Sequence, residues 1–402
     1  MRPVLISCIA LLTNAQQKGM LKLIQEFETR GFKVHLWSDH KYELLRKYDI
    51  HHLIYPEQEK NKFDLYWSFI KIWWGLDKKK WFERLKCWCN NNDNSFASAE
   101  LRKYMRESAR VMSIINPAWF FCWNPYCCRF GIAYDAAKIL DIKTVGMDWG
   151  FLPDTFILDR KGVLATSSIF GTDPLKKYSE KSLKVFSQKG GIIFEQLQEK
   201  SLSQYQQANA IIPPDFIVKS KDIVKVLVLG IGEIDAGAYP ADHPERKGLL
   251  PFHESAYQQA VDIAAANEKF RVIFKPHPSH NRYTTDTRVS ANLAIVNGNP
   301  DGLIDWADVV FCSGSKMEFS AIIKNKPLLT YGAGLLHGKE CSYEVRSPGS
   351  MVNEVNRALS RVYDVRNKKN FITFLGYLDS DYLYNFVLNK NQVIDTLLNE
   401  DK

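Results

Sequence analysis

Residues 308–332 read DVVFCSGSKMEFSAIIKNKPLLTYG, and this stretch decides the fold class of the chain. Its apolar beginning predicts a buried strand over 308–314, the segment 315–325 has a helical pattern, and 326–332 predicts a second strand. Strands that alternate with helices in this way form mainly parallel sheets. The sequence therefore predicts an α/β fold.

The same alternation extends outward through both halves of the chain. In the C-terminal half, strands are predicted at 224–230, 271–274 and 293–298, with a helix at 254–269. In the N-terminal half, strands are predicted at 4–12, 32–39, 119–123 and 142–148, with helices at 16–31 and 131–140. Gly31 suits the C-terminal end of the first of these helices, because glycine adopts a left-handed backbone easily.

Two such series in a chain of 402 residues predict two domains, because a chain of this length seldom folds around a single hydrophobic core. The boundary is placed in the segment 176–220, which is helical and then linker-like. The predicted domains are 1–215 and 216–375, with a C-terminal helical segment, 376–402, that crosses back to the first. Tandem α/β domains would put strand carboxyl ends on both sides of a central cleft. GT-B glycosyltransferases, two-domain reductases and periplasmic-type binding proteins all fit this plan.

Composition limits the function classes. A hydrophobic content of 46% with 24% charged residues is typical of globular proteins, and no apolar run approaches the roughly 20 residues that span a bilayer. The apolar start continues into a helical pattern without a cleavage site, so we expect Met1 to begin the fold. The eight cysteines form no zinc-type pairs, which predicts buried thiols in a reducing cytoplasm. A net charge of +8 leaves nucleic acid, an anionic membrane and acidic substrates open.

Two motifs that would indicate other chemistry are missing from the sequence. No Gly-x-Gly-x-x-Gly follows the first strand, and no Gly-x-x-x-x-Gly-Lys-Ser/Thr is present, which argues against dinucleotide binding and ATP hydrolysis. The acidic triplet DSD at 379–381 is interpreted as an ordinary acidic pair and not as a metal site.

The loop Ser313-Gly314-Ser315 joins a predicted strand to a predicted helix. Backbone amides at such a junction, with two hydroxyls beside them, can bind a phosphate group. The alternative is a structural turn in which Ser315 caps the helix and Glu318 completes a capping box. Taken alone, the loop favours the alternative, because Ser-x-x-Glu caps are common.

A second loop supports the prediction of a phosphate-binding site. The strand in FRVIFKPHPSH, 270–280, ends in Lys275 and His277, each followed by a proline that stiffens the backbone. In a parallel sheet these two basic side chains would open on the same edge as Ser313. His280 has no matching partner and is placed outside the group.

Two further strand ends carry carboxylates. The stretch GIGEID presents Glu233 and Asp235 in a glycine-containing loop, and Asp148 follows an apolar strand in the first half. Carboxylates on opposite sides of a cleft could serve as nucleophile and as general base in glycosyl transfer. An equally open alternative is that these carboxylates are ordinary solvated side chains in loops.

In this order, the four stretches resemble the KpsC-like family of bacterial retaining β-Kdo glycosyltransferases. The family's Glu-Asp-Gly-Phe-Leu and D-x-x-G motifs are similar to MDWGFLPDTFILDRKG, its G-Q-V-x-x-D to GIGEID, and its Lys-Pro-His-Pro is intact at 275–278. Its S-x-x-G-F-E-A-L-x-x-G-K-P-V-x-x-Y-G is similar to SGSKMEFSAIIKNKPLLTYG, with matches at Ser313, Glu318, Lys326, Pro327, Tyr331 and Gly332. The departures are Ile231 in place of glutamine and Met147 in place of an acid.

The resemblance implies a GT-B fold of two Rossmann-like α/β domains, in which 1–215 binds the acceptor and 216–375 binds CMP-Kdo. It also implies no metal and no cofactor, and retention through an aspartate-linked intermediate. Asp235 would be the nucleophile, with Glu233 as the alternative, Asp148 the acid/base, and His277 a stabiliser of the leaving phosphate. The expected nucleotide-binding residues are Lys275, His277, Pro278, Ser313, Gly314, Ser315, Lys316, Glu318 and Tyr331.

The implied partners are CMP-Kdo, a glycan or lipid-linked glycan acceptor, the inner-membrane surface and other polysaccharide-assembly enzymes, and the implied location is the bacterial cytoplasm or the periphery of the inner membrane. The segment 66–89 is rich in tryptophan and lysine, which suits an anionic membrane surface, a sugar-stacking groove or an aromatic helical hairpin packed on the first domain. Use of another nucleotide-sugar, by a transferase or an epimerase, is the second hypothesis. A non-catalytic glycan- or nucleic-acid-binding protein ranks last, because no RNA-binding signature is present.

Overall fold

A computed structural model describes most of the chain. The described residues are 2–8, 14–38, 62–88, 93–198, 207–217, 220, 222–232, 236, 253, 255–278, 285–332, 334–362, 364–388 and 392–399. Contacts between residues divide the chain into two compact units. The first comprises Met1–Ser168 with Asp381–Lys402, and the second comprises Ile169–Ser380. This division by contacts differs from the predicted domains 1–215, 216–375 and 376–402, which stay a prediction.

The first unit contains a six-stranded sheet with the order β13-β5-β4-β3-β1-β2. Its parallel strands are β1 (Arg2–Cys8), β2 (Phe32–Ser38), β3 (Trp119–Trp123) and β4 (Lys143–Trp149). Two antiparallel strands complete the sheet, β5 (Thr155–Asp159) and, from the end of the chain, β13 (Leu383–Asn385). The last strand thus joins residues that are more than two hundred positions apart in the sequence.

Helices cover both faces of this sheet. They are α1 (Asn14–Thr29), α2 (Lys62–Gly75), α3 (Lys78–Trp88), α4 (Asn94–Ile115), α5 (Cys128–Ile139) and α12 (Gln392–Asn399). Successive side chains of a strand point to opposite faces, so Val4 and Ile6 pack against α1 and α12, whereas Leu5 packs against α4 and α5. Burial on both faces explains why the strands read as continuous apolar runs.

The second unit contains a seven-stranded sheet with the order β12-β11-β10-β6-β7-β9-β8. Its strands are β6 (Val224–Leu229), β7 (Phe270–Lys275), β8 (Thr287–Arg288), β9 (Leu293–Ile295), β10 (Val309–Phe311), β11 (Leu328–Tyr331) and β12 (Tyr343–Val345). All pairs are parallel except β8 with β9. Without the short β8, the order in chain sequence is 3-2-1-4-5-6, the Rossmann arrangement.

The helices of the second unit are α6 (Glu180–Gln198), α7 (Ala256–Ala266), α8 (Pro300–Trp306), α9 (Met317–Ile323), α10 (Met351–Leu359) and α11 (Asp364–Tyr377). Helices α6 and α11 pack closely because glycines face the partner backbone. A Cβ atom on Gly190 would lie 1.8 Å from the Ile372 carbonyl oxygen. The acidic triplet follows α11, and Asp379 forms an ion pair with Lys189 of α6 at 2.7 Å, which is a structural role.

The predicted α/β class with two Rossmann-like sheets is confirmed. The predicted central cleft stays a prediction. Gly31 ends α1 with a φ of 79°, as expected for a helix C-terminus. Cys122, Cys312 and Cys341 are buried free thiols.

Candidate functional site

The second sheet has one topological switch point, between β6 and β10. From β6 the chain continues to β7 and β9 on one side and returns to β10 on the other. The loops that follow β6 and β10 therefore diverge, which opens a crevice at the carboxyl ends of these strands, where ligands bind in such sheets. The loop after β6 begins with Gly230 and Ile231 and leads to Glu233 and Asp235, which lie outside the described residues.

The end of β7 lies directly beside this loop. The Gly230 amide donates to the Lys275 carbonyl at 2.8 Å, and a Cβ atom on Gly230 would lie 3.2 Å from the His277 nitrogen. Glycine thus allows the close approach of the two backbones. His277 is half-buried and Pro278 is exposed. The two predicted basic residues therefore open on the same edge of the sheet as the loops after β6 and β10.

Lys275 is buried, with only 4% of its surface exposed. Its Nζ donates to the Pro276 carbonyl at 2.9 Å, and no ion pair is formed with any carboxylate of the described residues. Burial lowers the pKa of this lysine to about 8, because the charged form loses its hydration. A buried ammonium at a ligand-binding edge is well suited to an anion, since the anion would restore the stability of the charged form.

The Ser313–Ser315 loop follows β10 and is tied to its surroundings. The Ser313 Oγ accepts from the Tyr331 amide at 2.7 Å, which joins the ends of β10 and β11. Gly314 has a φ of 74°, a backbone conformation that favours glycine. The Ser315 Oγ accepts from the Met317 amide at 3.3 Å, and Lys316 occupies the N-cap of α9.

The amides predicted to bind phosphate already have an acceptor. The Glu318 Oε1 accepts from the amides of Gly314 and Ser315, and its Oε2 accepts from the Leu336 amide at 3.1 Å. Glu318 is fully buried, and this burial raises its pKa to about 7. The bonds to Gly314 and Ser315 are of the capping type, so the amides are bonded within the protein. The proposed ribose contact of Glu318 stays a prediction.

One strand-end loop was not singled out by the sequence analysis. It follows β11 and includes Gly334, where a Cβ atom would lie 2.9 Å from the Glu318 Oε1. It also carries Lys339, 4% exposed, whose Nζ donates to the Ile169 carbonyl at 2.7 Å and whose pKa is lowered to about 8 by burial. The signal that could have indicated it is GAGLLHGKE, a glycine-rich stretch with basic residues directly after a strand.

Tyr331 ends β11 and is buried at the same edge. Its ring centroid lies 4.8 Å from that of His253, and the His253 Nε2 is 2.9 Å from the Asp262 Oδ2 on α7. Burial lowers the pKa of His253 even though Asp262 opposes this, and burial raises the pKa of Tyr331. The sequence does not indicate this His–Asp pair, because nothing in PFHESAYQQ distinguishes His253 from a surface histidine.

Asp148 lies in the first unit, within β4 and not after it. Its Oδ1 accepts from the following amide, Trp149, at 2.7 Å, and its side chain is half-buried. Asp235 lies outside the described residues, so the predicted pairing of the two carboxylates stays a prediction. Among the described residues, no group of three or more His, Cys, Asp or Glu side chains is arranged to hold a metal ion.

Asp159 ends β5 and explains the D-x-x-G motif structurally. Its carboxylate accepts from the Lys161 amide at 2.8 Å, from the amide and hydroxyl of Ser168 at 2.6 and 2.7 Å, and from the Tyr382 hydroxyl at 2.9 Å. Gly162 completes the turn with a φ of 135°. Asp159 thus connects three parts of the first unit. These are the turn at 159–162, the end of the segment Met1–Ser168, and the segment Asp381–Lys402, which contributes Tyr382.

We expect Asp159→Asn to lower the free energy of unfolding of the first unit by about 2 kcal/mol, because an amide cannot accept all four hydrogen bonds. Tyr382→Phe should lower it by about 1 kcal/mol, since a single bond is lost. Urea denaturation followed by tryptophan fluorescence measures both. Equal stability of Asp159→Asn and the unaltered protein would contradict this role.

Comparison with solved structures gives matches at low identity. No family model matches the sequence, and no curated protein is similar enough to count as a relative. Two structures of Thermosulfurimonas dismutans KpsC are similar, each 15% identical to this chain. The β-Kdo 2,7 transferase has a TM-score of 0.39, with 60% of this chain and 74% of that chain covered. The β-Kdo 2,4 transferase has a TM-score of 0.40, with 64% and 79% covered.

The spinosyn rhamnosyltransferase SpnG is also similar, at 13% identity. It covers 99% of this chain and 100% of its own, with a TM-score of 0.35. We therefore argue the activity from the site residues alone.

Proposed function

We propose that this chain is a retaining glycosyltransferase that takes Kdo from CMP-Kdo, with the nucleotide at the carboxyl edge of the second sheet. The observation that carries the proposal is that the three strands that precede the motif-bearing loops are neighbours at the switch point of a Rossmann sheet. The loops after β7, β6 and β10 come from neighbouring strands. Because neighbouring strands lie about 4.8 Å apart, Lys275 and Ser313 end strands only about 10 Å apart, which matches the size of a phosphate with its sugar.

The donor phosphate would lie between these strand ends. Lys275 and His277 would stabilise the negative charge that develops on the departing CMP, with the hydroxyls of Ser313 and Ser315 as further donors. An adjacent phosphate would raise the pKa of Lys275 from about 8, so the lysine would stay charged in the complex. The amides of Gly314 and Ser315 remain with Glu318 and hold the loop in place.

Sugar transfer would take place in two displacements. An Asp235 carboxylate oxygen attacks the anomeric carbon, and the bond to the phosphate oxygen breaks with its electron pair leaving on CMP. The acceptor hydroxyl then attacks the same carbon and displaces Asp235, while Asp148 takes the hydroxyl proton. Two inversions give net retention. Glu233 is the alternative nucleophile.

The acceptor would be a glycan or a lipid-linked glycan. Transfer would build a bacterial surface polysaccharide at the cytoplasmic side of the inner membrane, where other polysaccharide-assembly enzymes would act as partners. A transferase or epimerase with a different nucleotide-sugar is the second candidate, because a phosphate site does not identify the base. Neither proposal assigns a metal or cofactor to the reaction.

The test is release of the nucleotide from a panel of donors. The full chain is incubated with CMP-Kdo, CMP-sialic acid and UDP-sugars, with and without EDTA, and free CMP or UDP is measured. We expect CMP release from CMP-Kdo alone, unchanged by EDTA. Turnover of a UDP-sugar but not of CMP-Kdo would favour the second candidate. Glycan binding without turnover of any donor would contradict both.

A further inference from the structure

The tryptophan side chains of helices α2 and α3 differ in their exposure to solvent. Trp81 is fully buried in a core cluster with Ile72 and Leu85, so this ring belongs to the packed hairpin. Trp67 and Trp74 are instead 48% and 79% exposed. Large aromatic side chains are seldom left in water to this degree, and exposed apolar rings that cluster on one face indicate an interaction surface.

The exposed rings share one face of α2. Trp67, Lys71 and Trp74 are spaced four and three residues apart, which places all three on the same side of a helix, and all three are exposed. Ile72 is buried on the opposite side. The outward face of α2 thus consists of two indoles with an ammonium group between them.

A surface depression lies between α2, α3 and α4, and its lining includes Trp73, the residue before Trp74. Its volume is about 360 Å³ and it is lined by Trp73, Lys78, Lys79, Phe82, Ser98, Leu101 and Arg102. The lining combines apolar side chains with three cationic ones. Lys78 is held in position, because its Nζ donates to the Trp73 carbonyl at 2.7 Å.

The charge of this region is positive. Lys71, Lys78, Lys79 and Arg102 are opposed by Asp77 in the turn between the helices, whose Oδ1 accepts from the Lys80 amide at 3.0 Å. Glu83 of α3 has a partner of its own, Lys86, at 3.5 Å. The α2 face and the depression together therefore match a surface that is anionic outside and apolar beneath.

We propose that the α2 face and this depression dock onto an anionic phospholipid bilayer. The indoles of Trp67 and Trp74 enter the interfacial layer, and Lys71 contacts lipid phosphates between them. A phospholipid headgroup occupies the depression, with its phosphate near the cationic rim. None of the helices in the described parts of the chain is long and apolar enough to span a bilayer. The docking is independent of which donor sugar the chain uses.

A bilayer is favoured over a nucleic acid because the exposed indoles lie two helical turns apart with one lysine between them. Single-stranded nucleic acid instead requires a continuous cationic groove along which successive bases stack. The bilayer proposal also accounts for the apolar lining of the depression, which lipid can contact and a phosphate backbone cannot.

Flotation of the full chain with vesicles tests the proposal. Phosphatidylcholine vesicles are compared with vesicles that contain one quarter phosphatidylglycerol, and we expect at least about tenfold tighter binding to the anionic vesicles. Trp67→Ala/Trp74→Ala should weaken this binding about tenfold or more. The matched control is Val185→Ala/Ile192→Ala, an equally spaced exposed pair on α6 in the second unit, which should bind like the unaltered protein.

The electrostatic part is tested separately. Lys71→Gln should weaken binding to anionic vesicles about fivefold, whereas Lys103→Gln, an exposed lysine on α4, should leave it unchanged. Circular dichroism melts confirm that the surface variants fold. Unchanged binding of the double tryptophan variant would overturn the proposal. The proposal would also be overturned if a short single-stranded RNA bound the protein in the absence of vesicles and this binding were lost in Trp67→Ala/Trp74→Ala.

Discussion

Asp235→Asn is expected to lower the rate of CMP release from CMP-Kdo by roughly a thousandfold or more. Asparagine has nearly the same shape as aspartate, but its neutral amide cannot attack the anomeric carbon. Removal of a covalent nucleophile costs several powers of ten in turnover, whereas removal of a binding group mainly raises KM. We therefore expect kcat to fall while the KM for CMP-Kdo changes little.

The matched control for this variant is Asp222→Asn. Asp222 is exposed and precedes β6, so the same substitution is made at the opposite end of the strand that leads to Asp235. This control should keep full turnover. Mass spectrometry of the protein quenched with CMP-Kdo should find Kdo on the peptide that contains Asp235. Full turnover of Asp235→Asn would remove the nucleophile assignment, and an adduct on Glu233 would relocate it.

Five of the seven strands of the second sheet could be predicted from the sequence because each is a short apolar run between loops, whereas β8 and β12 were missed. The run 224–230 corresponds to β6, and 271–274 lies within β7. Strands β5 and β13 were missed for a physical reason. They pair with each other through Leu383 and Ile157, and no local pattern reveals a partner so distant in the chain.

The edge of the sheet at which Lys275 and Ser313 lie could be predicted from the sequence, but their contacts could not. The strand ends that carry Lys275 and Ser313 followed from the parallel order alone. Whether the Gly314 amide faces a phosphate or a carboxylate depends on Glu318, which is fixed by the amide of Leu336, eighteen residues away. The burial of Lys275 likewise depends on neighbouring strands, and composition does not predict it.

The role of Glu318 leads to the second large effect. In Glu318→Ala, the buried amides of Gly314 and Leu336 and the half-buried amide of Ser315 lose their acceptor, and each unsatisfied buried group costs about 1 to 3 kcal/mol. We expect the free energy of unfolding of the second unit to fall by roughly 3 kcal/mol or more. Glu318→Gln keeps one acceptor oxygen and should lose less. Urea denaturation followed by circular dichroism measures both, and hydrogen exchange of peptides from 308–332 localises the change.

The pH dependence distinguishes the charge of Glu318 from its hydrogen bonds. Its pKa rises from 4.5 in the unfolded chain to about 7 in the folded protein, because burial disfavours the carboxylate. Between these values the folded state keeps a proton that the unfolded state has released. The contribution of Glu318 to the free energy of unfolding of the second unit should therefore decrease by roughly 3 kcal/mol as the pH rises from 4.5 to 7, and this contribution should be missing in Glu318→Gln.

The buried lysines contribute with the opposite sign. The pKa values of Lys275 and Lys339 are lowered from 10.5 to about 8, so above pH 8 the unfolded chain binds more protons than the folded one. Their contribution to stability rises from pH 8 to 10.5, and Lys339→Met should remove part of that rise. Glu268→Ala, an exposed glutamate of the same unit, is the control, and its stability should follow the unaltered protein at every pH. A Glu318→Gln profile of the second unit with the same slope below pH 7 as the unaltered protein would contradict the raised pKa of Glu318.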